Sequence, residues 1–111
     1  MALINYKKWQ VVLVDLKPVK GSEISKVRPC LIISPNAANN HLQTLIVAPL
    51  TSTIRFIPTR LRSNFNGQQG EICFDQMRAI DKSRVVKLLG VLDAGERKQV
   101  NALLSNMFGE L

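Results

Sequence analysis

A chain of 111 residues, 46% apolar and with 15 Lys and Arg against 8 Asp and Glu, reads as one domain with its own core and a formal charge of +7. That balance favours an anionic partner. The charge is also uneven, because nine of the basic residues but only Asp15 and Glu23 among the acidic ones precede residue 66. The composition argues against several classes. Cys30 and Cys73 each sit in an apolar run, as reduced core thiols do, and with a single histidine they make no zinc-ligand pattern. No apolar run nears the roughly 18 residues of a membrane span, and no secretory leader opens the chain, so the expectation is a cytoplasmic protein without membrane contact.

Residues 1–10 hold Tyr6 and the only tryptophan, Trp9, beside Lys7 and Lys8. This start either docks an aromatic on the core or offers it to a base. From Val11 the chain has the pattern of a small β protein, with strands expected near 11–16, 29–34, 44–50, 57–62, 71–75 and 85–92 and an extended segment at 76–80. The first two strands are joined by a polar loop, Gly21-Ser22-Glu23-Ile24-Ser25-Lys26-Val27-Arg28-Pro29. Pro29 stiffens its end and biases Arg28 toward extended geometry at the mouth of a strand. Residues 35–43 read as a turn-rich connection containing the solvated His41, and 64–70 as a second loop with two glycines. Asp93-Ala94-Gly95-Glu96 has the form of a helix start. Val100, Leu103, Leu104 and Met107 follow at helical spacing, with Gly109 as C-cap, so the chain ends in an amphipathic helix whose stripe belongs to the core. The sum is a compact antiparallel β structure, a small barrel of five or six strands with a C-terminal helix packed on it.

Three polar segments stand at strand ends. They are Glu23 to Arg28; the hydroxyl run Thr51-Ser52-Thr53 after Pro49-Leu50; and Asp75-Gln76-Met77-Arg78, followed by Asp81-Lys82-Ser83-Arg84. Each has a plain structural reading. Arg28 can pair with Glu23 or Asp15, the hydroxyls can satisfy turn donors, and Asp75 can pair with Arg78. One histidine and two strand-bound cysteines support no Ser-His-Asp or Cys-His catalytic set.

Taken in order, Gly21-Ser22-Glu23, Val27-Arg28-Pro29, Val47-Ala48-Pro49-Leu50-Thr51-Ser52 and Asp75 through Arg84 resemble the MazF/PemK (Kid) family of bacterial toxin endoribonucleases. The likeness runs from about Val11 to Leu104, so residues 1–111 are expected to form a single domain of that kind. It implies an SH3-like antiparallel barrel of the CcdB/Kid type that forms homodimers and cleaves single-stranded RNA, usually mRNA, at short sequences without a metal or other cofactor. It also implies a cognate acidic antitoxin that blocks the groove. By position the resemblance makes Arg28 and Thr51 catalytic, and Glu23, Lys26, Ser52, Asp75, Gln76 and Arg78 supporting or RNA-binding residues, with no metal ligands. The chain departs from the pattern at three places. Lys8-Trp9 stands where many members carry an Arg-Gly or similar pair, Cys73 replaces a basic residue of the Kid subgroup, and Ser22 replaces its histidine. The last two favour an arginine-plus-threonine site.

The chemistry suits those residues. If the RNA's own 2′-OH attacks, a crowded dianionic phosphorane must be stabilised and a 2′,3′-cyclic phosphate and a 5′-OH result. An arginine stays charged and offers a planar fork to phosphate oxygens, and a threonine hydroxyl can donate to a nonbridging oxygen. Glu23 could serve as general base only if burial raised its pKa. The rival expectation is a non-catalytic barrel, either a CcdB-like inhibitor of a protein target or an RNA binder.

Overall fold

The computed structural model describes residues 5–17, 20–23 and 26–109. Ile24 and Ser25 of the polar loop, and the first four residues, lie outside them. Seven strands and two helices follow in the order β1 (Gln10–Asp15), β2 (Val27–Ile32), α1 (Asn36–His41), β3 (Thr44–Thr51), β4 (Arg60–Phe65), β5 (Gln68–Cys73), β6 (Arg78–Asp81), β7 (Val85–Val91) and α2 (Ala94–Phe108). Single 3₁₀ turns at Phe74–Gln76 and Lys82–Arg84 flank β6.

All pairings are antiparallel, and the strands run β4-β5-β3-β2-β1-β7 with β6 on β3. The expected class, an antiparallel β structure with a C-terminal helix, is what forms, but the barrel is not closed, because β4 and β7 end the path without pairing to each other. β3 is the hub. It pairs with β2 over Val47–Pro49, while its other edge takes β6 over Thr44–Val47 and then β5 at Leu50–Thr51.

The apolar runs of β1 and β2 are continuous rather than alternating because both faces of these strands are covered. Val12, Val14, Cys30 and Ile32 join Leu45, Val47 and Ile80 on one face. Val11 and Leu31 join Ala48, Ile72, Phe74 and Val100 of α2 on the other. The α2 stripe packs as expected, with Val100 buried and Leu103, Leu104 and Met107 against the second cluster. Asp93 caps its start by accepting from Glu96 N at 2.8 Å. Gly109 is the C-cap but lies at φ −69°, so its value is not left-handed freedom; a Cβ there would run into the Ser105 carbonyl.

Three local expectations change. The connection 35–43 contains the one-turn α1, because Asn39 turns inward rather than making a solvated turn: its Nδ2 donates to Ser34 O at 2.9 Å, and Ser34 Oγ accepts from Ile46 N at 3.0 Å. The strand placed at 57–62 starts only at Arg60, since Pro58-Thr59 makes a turn closed by Arg60 N to Ile57 O at 2.9 Å. The loop placed at 64–70 is instead a tight hairpin between β4 and β5. Its two central residues, Asn66 and Gly67, sit at φ 52° and 76°, as a type I′ turn requires. At the other end of the chain Trp9 docks on the core, with its N–H bonded to Ile32 O and its carbonyl to Leu92 N, each at 2.9 Å.

Candidate active site

β2 and β3 bring the two foremost candidates together. Their register ends with Cys30 paired to Pro49, and just beyond that end Arg28 of β2 and Thr51 of β3 line the same cleft. There β3 leaves β2 and pairs with β5, so that Thr51 is opposite Glu71, and Glu71 in turn is opposite Arg62 of β4. Thr51, Glu71 and Arg62 thus form one row across three strands. A cleft of about 170 Å³ opens at this fork and is lined by Arg28, Thr51, Ser52 and Glu71, with Ser63, Phe65 and the Gln68–Gly70 segment forming its far wall.

Gly70 makes the fork close. A Cβ on it would overlap the Thr51 carbonyl oxygen, so β5 can approach Thr51 only with glycine there. The Thr51 hydroxyl accepts from Thr53 N at 3.2 Å, which fulfils the turn-forming reading of the hydroxyl run. That bond occupies a lone pair and leaves the hydroxyl hydrogen for another acceptor.

Glu71 was not singled out by the sequence. It is 1% exposed and holds the segment after Thr51 by accepting from Arg55 N at 3.1 Å on Oε1 and Phe56 N at 3.0 Å on Oε2. The signal available was a carboxylate heading an otherwise apolar strand, Glu71-Ile72-Cys73-Phe74, directly after a glycine. Such a residue is buried only when its oxygens are bonded.

The remaining candidates lie elsewhere. Glu23, Asp75, Gln76 and Arg78 line a second, larger cleft of about 610 Å³ with Ser22 and Pro49. Pro49 is two residues before Thr51 on β3 and shares its face, so the clefts are neighbours. Burial raises the thiol pKa of both Cys30 and Cys73; Arg78 and then Arg28 oppose it at Cys30, and Arg60 and more weakly Arg28 at Cys73. Asp75 is gripped not by Arg78 but by Arg60, at 3.1 and 3.2 Å. Burial would raise the Asp75 carboxyl, but that fork, its own backbone N–H and Thr59 together hold it below the ordinary range. Arg78 reaches Leu16 O at 3.5 Å. Glu23 is exposed and accepts from Lys20 N, so the burial needed for a base is not provided. Lys26, exposed and at φ 74°, lines neither cleft; its carbonyl accepts from Leu16 N at 3.1 Å and closes the β1–β2 loop. Among the described residues no group of three or more His, Cys, Asp or Glu is placed to hold a metal ion, and no helix is long and apolar enough to cross a membrane.

The family described as the PemK-like, MazF-like toxin of type II toxin-antitoxin system matches residues 7–108. Endoribonuclease MazF of Staphylococcus saprophyticus is 33% identical over 109 residues, covering 93% of this chain and 91% of that protein. MazF of Deinococcus radiodurans superposes with a TM-score of 0.83 at 25% identity, over 96% of this chain and 99% of that one. A mycobacterial endoribonuclease solved with its cognate antitoxin gives a TM-score of 0.80 at 25% identity, covering 96% and 97%. With a family match over nearly its whole length and the Arg28–Thr51 cleft at the fork of β3, this chain belongs to the PemK-like, MazF-like toxins of type II toxin–antitoxin systems.

Proposed function

We propose that this toxin is a metal-independent endoribonuclease that cuts single-stranded RNA, mRNA foremost, at short preferred sequences, and that a cognate acidic antitoxin silences it. The observation that carries this reading is that Arg28 and Thr51, from separate strands, line one cleft. Arg28 places a permanent positive fork where a phosphate would sit, and the Thr51 hydroxyl has a hydrogen to donate beside it. The RNA supplies its 2′-OH as nucleophile. The new bond joins that oxygen to phosphorus, the bond to the 5′-oxygen breaks, and the products are a 2′,3′-cyclic phosphate and a 5′-OH. Arg28 and Thr51 take up the charge that grows on the nonbridging oxygens, the largest single catalytic contribution in sites of this type. Both oxygens of Glu71 already accept backbone N–H groups, which suits a positioning role rather than that of the general base.

Two copies of the chain and an acidic partner complete the reading. The mycobacterial endoribonuclease solved with its cognate antitoxin and the excess of basic residues before residue 66 support it. The test is incubation of the purified protein with a long single-stranded RNA in EDTA, beside Arg28→Ala, with the cut ends mapped. Discrete cuts with 5′-OH termini that vanish in the variant are expected. RNA bound in a salt-dependent way but never cut would turn the assignment to a binding barrel.

A further inference from the structure

Outside the Arg28–Thr51 pair, the most conspicuous feature is Phe56. It is 76% exposed, the highest value among the large apolar side chains described. Its backbone is in the left-handed region at φ 56°, which a bulky residue adopts only when its surroundings enforce it. The enforcing group is the buried Glu71 carboxylate, which takes the N–H groups of Arg55 and Phe56. A strained residue is therefore held in place with its aromatic ring in solvent. The Arg62 guanidinium lies 5.5 Å from the ring centroid, within cation–π range, and also donates to Gln69, a wall residue of the cleft, at 3.4 Å. Arginine thus stands over a ring that is otherwise largely in solvent.

We infer that Phe56 is a base-stacking platform beside the Arg28–Thr51 cleft, taking an unpaired nucleobase of the RNA strand whose phosphate occupies that cleft. Each element is accounted for: the ring stacks on any base, Arg62 over it stabilises the stack and faces an anionic backbone, and Glu71, a lining residue of the cleft, anchors the backbone that carries the ring. The inference rests on the RNA-cutting reading for its ligand, yet Phe56-dependent binding can be measured without cutting.

The experiment uses the full chain and a non-cleavable 2′-O-methyl single-stranded RNA spanning a mapped cut, or of mixed sequence if none is cut, with one abasic site at each position in turn. Wild type is expected to lose affinity sharply at one abasic position. Phe56→Leu and Phe56→Ala are expected to bind the intact RNA about 5- to 150-fold more weakly and to be indifferent to that abasic site, whereas Phe56→Trp keeps wild-type behaviour. A merely structural role would not make the loss specific to one base. Phe56→Leu that folds, binds and responds to every abasic site like wild type overturns the inference. So does a variant that binds RNA normally but loses a Glu-rich amphipathic peptide, which would make Phe56 a protein contact. Wild type that binds in a Phe56-dependent way without cutting overturns the nuclease reading and leaves the platform standing.

Discussion

Arg60 holds Asp75 in a two-point fork, Nε to Oδ1 at 3.1 Å and Nη2 to Oδ2 at 3.2 Å, and so ties β4 to the 3₁₀ turn that places Gln76 in the second cleft. Because the folded Asp75 carboxyl is held below its ordinary value, the pair stabilises the fold above the unfolded carboxyl pKa, about 3.9, and that contribution fades as pH falls through the lower folded value. Asp75 stays partly exposed, so the expected loss in Arg60→Met is about 1 kcal/mol at neutral pH. Urea unfolding of both proteins across the acid range should show the two curves converging at low pH. A gap that does not change with pH would assign the loss to packing of the arginine stem.

The strand framework was legible because β1, β2 and β3 bury enough apolar surface to write it into the sequence as runs, and α2 because its period and its Asp93 cap agree. Errors fell where polar residues point inward or where backbone geometry decides. Asn39 has the residue type of a turn former but is buried in a bonded pair with Ser34, and Asn66-Gly67, within a stretch whose polarity suggests a loop, is the tightest hairpin signal in the chain. At the site, the resemblance supplied Arg28 and Thr51, and both line one cleft where β3 parts from β2. Glu71 and Phe56 carry no motif, and their pairing across 15 residues appears only in three dimensions.

Gly70→Ala should damage the site more than the fold. Its methyl would strike the Thr51 carbonyl, which belongs to backbone and cannot swing away. Overpacking of this kind costs about 1–3 kcal/mol, and, if Thr51 acts as proposed, an ångström-scale shift of its hydroxyl costs about 100-fold in rate. Single-turnover RNA cleavage beside thermal unfolding separates the two. A variant that is destabilised but cuts at the wild-type rate would show that the position of Thr51 is not critical.

The two thiols are predicted to be inert in the native protein. Burial pushes Cys30 up to about 12 and Cys73 up to about 11, with nearby arginines only partly offsetting it, so neither forms thiolate at mildly alkaline pH. Iodoacetamide should label neither in the folded protein and both in guanidinium chloride. Labelling of Cys73 in the native state would mean that β5 opens beside the cleft, and its dependence on added RNA would report that motion.

Thr51 tests the chemistry most directly, because its hydroxyl has two separable duties. As an acceptor it secures Thr53 N at 3.2 Å, and on the proposed mechanism its hydrogen is donated to a phosphate oxygen in the cleft that Thr51 lines with Arg28. Thr51→Ser preserves both and should keep cutting within a few-fold of wild type. Thr51→Val preserves the shape and removes both, and the lost donor alone should lower the rate on the order of 100-fold. The turn contributes to stability as well, at about 1 kcal/mol for one hydrogen bond. Thr53→Pro removes the N–H that Thr51 accepts while leaving the hydroxyl hydrogen, so it isolates the turn. If Thr51→Val and Thr53→Pro slow cleavage equally, the hydroxyl acts by shaping the loop; if only Thr51→Val falls by the full factor with RNA affinity unchanged, it acts on the phosphate in the transition state.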